Sequence, residues 1–188
     1  MFIVIDGLDG SGKSTQARLL CSKLALQGRS YILRTHPSED NFFGRLGRGY
    51  LRVEGKGARI AASLFYMLDV IRSIILYRWK RADFIVFVRY LIGTAYLPAP
   101  FHKMAYLFFY RLVPKSDYMI FIEINPEEAL RRIENRSEES KEVFESLDKL
   151  YEVRDRAKEL TSMGGWKIMN GNQPRRPLHG KIIAFLAP

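Results

Sequence analysis

The residues best suited to chemistry stand at the start of the chain. Gly7, Leu8, Asp9, Gly10, Ser11, Gly12, Lys13 and Ser14 satisfy the pattern G-x-x-x-x-G-K-[ST], and Thr15 follows. Glycines at 7, 10 and 12 free the backbone so that several N–H groups can converge on a polyphosphate. Lys13 would bring a positive charge to the β- and γ-phosphates. Ser14 opens a helix whose unpaired amides and dipole favour an anion, and its hydroxyl is suited to Mg²⁺. The nucleotide-binding set read from this loop is Gly7, Gly10, Ser11, Gly12, Lys13, Ser14 and Thr15.

Such a cradle needs a strand to deliver it and a helix behind it. Phe2, Ile3, Val4 and Ile5 form the apolar run before the loop, and Leu19, Leu20 and Leu24 recur at helical spacing after it. A bare Gly-Ser turn with a solvated lysine would not need this context. Gly28 supplies a stop, and SYILRT reads as a second strand, so the first 35 residues make one crossover unit of a parallel sheet. The fold class is therefore α/β.

Further along, residues 36–60 carry many glycines and arginines and read as a loop or short-helix region. Arg45, Arg48, Arg52 and Lys56 there suit either an anionic ligand or a solvated surface. A long helix is expected from about Ala58 to Lys80, then a buried strand over 83–88. That strand delivers Arg89 and Tyr90 to its C-terminal end, where open α/β sheets place ligand sites. Between prolines, Phe101, Met104, Ala105, Phe108, Phe109 and Leu112 give a helix a wide apolar face, suited to core packing or a dimer contact. YMIFIEI at 118–124 is a further strand, and Pro126 opens a helix. Two charged helices share 126–160, with ENRSEESKE as a polar hinge. Arg131, Arg132, Arg136 and Lys141 suit a lid over phosphates or a surface laced with ion pairs. WKIM reads as a last strand and HGKIIAFL as a closing helix.

Composition bounds these readings. The chain has 188 residues, 47% of them apolar, enough for an ordinary core. Its formal net charge of +10 suits polyanions, which include small phosphate esters, nucleic acid and acidic membranes. A polynucleotide 5′-kinase or nucleic-acid ATPase is the alternative that this charge raises. Cys21 stands alone, so no internal disulfide forms, and it is expected to pack in the core. The chain enters a strand at once, without a basic segment and apolar signal stretch, and Asp69 and Arg72 interrupt the apolar region 61–76. A soluble cytoplasmic protein is the expectation. His36, His102 and His179 are scattered and suggest neither a zinc site nor a triad.

Several stretches together resemble the thymidylate kinases, a family of small nucleoside monophosphate kinases. FIVIDGLDGSGKSTQARLL is similar to the family's opening. LFYMLDVIRS at 64–73 resembles its Leu-Phe-Ala-Ala-Asp-Arg helix, VRYLIGTAY at 88–96 its Asp-Arg-Tyr motif with a downstream Ala-Tyr, and ALRRIENR at 129–136 the start of its lid. The resemblance implies a P-loop three-layer sandwich, with a five-stranded parallel sheet flanked by helices. It implies a single domain with a lid at about 134–143, and a cleft with ATP on one side and dTMP on the other. In-line transfer would be assisted by Mg²⁺ at Ser14, with Lys13, Arg89, Arg132 and Arg136 as the compensating cations. Arg132, Arg136 and Asn172 would also contact ATP, the loop 172–176 lying against adenine. Asp9 would bind the sugar 3′-hydroxyl, Tyr66 stack on the base, Tyr96 pack on the deoxyribose and Arg89 grip the acceptor phosphate. The aromatic face of the helix at 101–112 makes a homodimer the expectation, with no obligate nucleic acid and no membrane.

Three departures stand out. Val88 replaces the aspartate before the motif arginine, with Asp6 and Glu123 as the nearest carboxylates in pattern. Val70 replaces the arginine after Asp69, leaving Arg72 as the candidate to reach the acceptor. The family's Thr-Arg-Glu-Pro reads RTHP at 34–37, and the run from Arg89 to Tyr96 is one residue shorter. A drifted acceptor site would serve another pyrimidine monophosphate or small phosphate ester. A lost one would leave a nucleotide-binding protein without transfer.

Overall fold

The computed structural model describes residues 1–187 apart from positions 54, 78, 117 and 136–145, and the backbone alone of Lys56. Among the described residues, five strands form one sheet. These are β1 (Phe2–Gly7), β2 (Tyr31–Thr35), β3 (Phe84–Val88), β4 (Tyr118–Glu123) and β5 (Lys167–Asn170). Their order is β2-β3-β1-β4-β5 and every pairing is parallel, so the expected α/β sheet is realised. β1 sits at the centre, with Ile5 beside both Val88 and Ile120.

Helices cover both faces, which is why β1, β3 and β4 read as unbroken apolar runs. Val4 and Phe87 face a core shared with Tyr66, Met67, Val70 and Tyr90. Ile3, Ile5, Val86 and Val88 face the opposite core with Ala17, Leu20, Cys21 and Leu24. α1 (Lys13–Leu26) and α7 (Arg175–Leu186) lie on the second face. α3 (Lys56–Tyr77), α4 (Phe101–Leu112), α5 (Pro126–Glu134) and α6 (Leu147–Ser162) supply the first. By length and composition Gly57–Tyr77 could cross a membrane, yet Ala62, Tyr66, Met67 and Val70 are buried in the protein. Burial pushes the Cys21 thiol up to about 11, consistent with its packing role.

Of the two readings of the Gly-rich region, a loop or a short helix, the structure shows a short helix over part of it. Phe42–Tyr50 is a helix, α2, whose start is capped by the Asn41 side-chain Oδ1 accepting from the Gly44 amide at 3.1 Å. Two of its glycines are contact points. A Cβ at Gly44 would lie 2.0 Å from the Ser38 carbonyl oxygen, and one at Gly47 3.3 Å from the Tyr66 nitrogen. The closing helix starts at Arg175, a turn earlier than its apolar pattern. The apolar stripe of α4 is also not its core side. Phe101, Met104, Phe108 and Leu112 are exposed, while His102 and Tyr106 are buried, Tyr106 accepting from the Trp166 indole at 2.8 Å. The expected lid falls almost wholly within 136–145, outside the described residues, as do Arg136 and Lys141.

Candidate active site

The phosphate loop turns sharply off the C-terminal end of β1. Gly10 has φ +78, and a Cβ there would lie 2.5 Å from the Ala129 carbonyl oxygen, so only glycine lets α5 close against the loop. The Ser11 amide donates to the Leu8 carbonyl at 3.1 Å, and Gly12, with φ +91, is the N-cap of α1. The Ser11 hydroxyl is buried with no hydrogen-bond partner inside this loop. Gly12 and Thr15 line the groove beside the loop, Ser14 between them is half-buried, and the first turn of α1 leaves its amides unpaired there.

Lys13 is buried. Its ammonium donates to the Leu8 carbonyl at 2.8 Å and to Asp9 at 3.2 Å. Asp9, 3% exposed, also accepts from the Arg89 guanidinium and, at 2.5 Å, from the Tyr96 hydroxyl. Burial acts to raise the Asp9 pKa, but Arg89 and Lys13 hold the carboxyl far below the carboxylate range. Burial pushes the Lys13 pKa down, with Asp9 opposing it. The structure thus brings three sequence-predicted residues, from a helix, a strand end and a 3₁₀ turn at Ile92–Tyr96, onto the carboxylate of a fourth in the loop.

On the far side of Asp9 lies a cavity of about 40 Å³, lined also by Pro37, Leu51, Ala62, Ser63, Tyr66 and Gly93. The Tyr66 hydroxyl donates to the Tyr90 carbonyl at 2.9 Å, and its ring lies flush on Gly93, where a Cβ would come within 2.4 Å of it. Leu51, Ser63 and Gly93 escaped the sequence reading, because nothing local links them.

On the near side is a groove lined by Gly10, Gly12, Thr15, Gly171, Gln173, Pro174 and Arg132. The Arg132 guanidinium donates to Glu128 at 2.7 Å, to the Gly171 carbonyl at 3.1 Å and to the Gly10 carbonyl at 3.4 Å. It therefore joins the phosphate loop to the loop after β5. Arg131 instead pairs with Glu128 on the surface. The Asn172 side chain accepts from the Asn125 amide at 3.0 Å and braces its loop, leaving Gly171, Gln173 and Pro174 to face the groove.

Other expected residues stand elsewhere. Arg72 follows Asp69 around α3 and comes 3.9 Å from Asp40. Asp69 and Arg72, one and two turns beyond the cavity residues Ala62, Ser63 and Tyr66 along α3, meet the 38–41 turn. There Asp69 accepts from the Ser38 amide at 2.6 Å and hydroxyl at 2.7 Å, and from Asn41 at 2.7 Å. Val70 and Val88 are fully buried in opposite cores. Neither nearby carboxylate takes the place of the missing aspartate. Asp6 accepts from the amides of Gly7, Tyr90 and Ile92 at 2.8–3.1 Å, pinning the turn after β3. Glu123 pairs with Lys158 at 2.8 Å and Arg154 at 3.0 Å.

Among the described residues no cluster of three or more His, Cys, Asp or Glu could hold a metal. With Asp6, Asp9 and Glu123 so engaged, the protein offers the Ser14 hydroxyl. That donor set fits a magnesium ion carried on nucleotide phosphates, which retains phosphate and water ligands.

Comparison with known proteins agrees with this geometry. A family model for thymidylate kinase matches residues 5–182. The chain is 30% identical to a probable thymidylate kinase of Thermococcus gammatolerans over 99% of its length and 95% of the relative's. It is 32% identical to a putative thymidylate kinase of Aeropyrum pernix over 84% of this chain and 77% of that protein. Among solved structures, thymidylate kinase from Candida albicans superposes with a TM-score of 0.75 at 21% identity, covering 98% of this chain and 90% of that one. Deoxyadenosine kinase from M. mycoides, with bound dATP, gives 0.72 at 16% identity, covering 99% of both. These two share the fold. With a phosphate loop, an Asp9-centred cation cluster and a family match across nearly its whole length, the chain belongs to the thymidylate kinase family.

Proposed function

We propose that the protein transfers the γ-phosphoryl group of ATP to dTMP, giving dTDP. The observation that supports this most is the meeting of Lys13, Arg89 and Tyr96 on Asp9, between the phosphate-loop groove and the cavity at Tyr66. Phosphoryl transfer asks mainly for positioning and for positive charge around the moving group. Lys13 and the α1 amides hold the donor phosphates, and Arg132 adds charge from above the loop. Arg89 faces the donor side from the acceptor side, which suits it to align the acceptor phosphate. Asp9 accepts from the sugar hydroxyl, Tyr96 packs on the sugar, and Tyr66 and Gly93 form the wall for the base. Ser14 would hold Mg²⁺, which supplies charge neutralisation on the bridging phosphates when bound. Arg136 and a lid over 134–143 complete the donor side in this reading. We further take the chain as a cytoplasmic homodimer, a state that the exposed apolar side of α4 would suit and that sedimentation would read.

Turnover across a panel of nucleoside monophosphates, with ATP and Mg²⁺ and the Lys13→Ala protein as control, tests this. Preferential conversion of dTMP supports it. Turnover of a different monophosphate keeps the transfer and replaces the acceptor, an outcome to which the burial of Val70 in the core gives weight. ATP binding without any transfer would reject the enzyme reading, with apolar Val88 at the family's aspartate position as the residue to restore.

A further inference from the structure

His36 has no role in the chemistry described so far. It lies one residue past β2 and is fully buried, its ring edge-on to Phe87 at 5.0 Å. Its backbone N–H extends the sheet ladder to the Val88 carbonyl at 3.0 Å, and its Nδ1 lies 3.0 Å from the Arg89 carbonyl oxygen. A carbonyl only accepts, so Nδ1 carries the proton. The other nitrogen, Nε2, is buried without a hydrogen-bond partner. A buried lone pair is less costly to leave unpaired than a buried N–H. Both nitrogens therefore select the same tautomer. Burial also pushes the imidazole pKa down to about 4, which keeps the ring neutral near pH 7.

The contact holds the peptide plane of Arg89. That residue has φ +63, a region that side-chain-bearing residues rarely adopt and that persists only where the surroundings over-determine it. The Arg89 N–H donates to the Ile5 carbonyl at 3.1 Å, and the following N–H, of Tyr90, donates to Asp6 at 2.8 Å. The Arg89 carbonyl is the remaining backbone group of the bend, and His36 holds it. The bend turns the chain off β3 and sends the guanidinium across to Asp9. Pro37, next to His36, lines the same cavity.

We propose that His36 is a positioning residue: by donating from Nδ1 to the Arg89 carbonyl it fixes the strained backbone that aims the Arg89 guanidinium at the acceptor phosphate. This rests on reading the cavity as the acceptor site.

The test combines ¹⁵N-resolved NMR of the His36 ring with kinetics of His36→Asn, His36→Gln and His36→Leu. An asparagine amide N–H falls close to the imidazole Nδ1 position, whereas a glutamine amide reaches further, toward Nε2. The spectrum should show a protonated Nδ1 and an unprotonated Nε2. KM for dTMP should rise about tenfold in the Leu and Gln proteins and stay within about threefold of wild type in the Asn protein, with KM for ATP changed less than about twofold throughout. An Nε2–H tautomer, an Asn protein no better than Gln, or equal losses for ATP and dTMP would overturn the proposal. Should the Leu protein fail to fold, the Asn and Gln pair decides. Absence of dTMP turnover by the wild type would sink the acceptor reading and not the His36 contact, whose tautomer is read from the spectrum alone. The series is then run with whichever monophosphate the protein converts.

Discussion

Asp9 accepts from three side chains and sits almost out of water, so its charge sets the state of the whole cluster. Replacing it by asparagine leaves Lys13 buried and Arg89 partly buried without their shared anion. Breaking a buried pair from one side costs about 3 kcal/mol, so Asp9→Asn should lower the urea midpoint accordingly. Tyr96→Phe removes one neutral donor from the same carboxylate. It should raise KM for the acceptor about three- to tenfold while leaving KM for ATP near wild type, read from paired saturation curves. Lys13→Ala should lower kcat about 100-fold or more with the circular dichroism spectrum kept, and undiminished turnover would reject the phosphate-loop assignment. Lys13 and Asp9 were legible in the sequence because the loop motif is contiguous, and Arg89 because strand ends in this architecture carry ligands. Arg72 shows what spacing leaves out: its proximity to Asp69 along the helix was legible, but not that Asp40 lies 3.9 Å from it. Asp6 and His36 act through backbone groups more than fifty residues away, and no local pattern encodes such a partner.

At the level of elements, α2 separates two meanings of glycine. Gly44 and Gly49 occupy the same helix, yet a Cβ at Gly44 would collide with the Ser38 carbonyl while one at Gly49 would meet nothing within 4 Å. Gly44→Ala should therefore destabilise by about 2 kcal/mol or more through overpacking, and Gly49→Ala should stabilise by about 0.5–1 kcal/mol through helix propensity. Equal shifts of the two denaturation midpoints would show that α2 is not seated as described. β1, β3 and β4 were readable because residues buried on both faces must be apolar throughout. For α2 a short helix and a loop stayed equally open, because close backbone approach and flexible loops both select glycine. α4 misled in another way: amphipathicity gives the separation of its faces but not which one meets the core, and here the richer apolar face is exposed.

Across the whole molecule, acid should weaken the fold in two stages. His36 has an ordinary pKa of 6.5 and a folded one of about 4, with burial the main cause, Asp69 opposing it and Arg34 adding to it. Between these values the unfolded chain binds a proton that the folded chain refuses. Stability is therefore fully present above pH 6.5 and is lost as pH falls toward 4, by about 3 kcal/mol. His36→Asn should abolish this stage in urea titrations run across pH, and a wild-type protein with flat stability from 6.5 to 4 would contradict the burial of the ring. Asp9, with its folded pKa depressed, contributes above the ordinary carboxylate range and begins to fail below it, a later stage that His36→Asn should leave in place. The central carboxylate has a further consequence for the working cycle. Lys13 and Arg89 each already hold an internal anion, so an arriving phosphate competes with Asp9 for them and adds little net attraction. Capture then becomes an exchange between near-equals. A clamp made this way binds each anion against a competitor it already holds, so neither arrival nor departure breaks a contact that is not remade with Asp9.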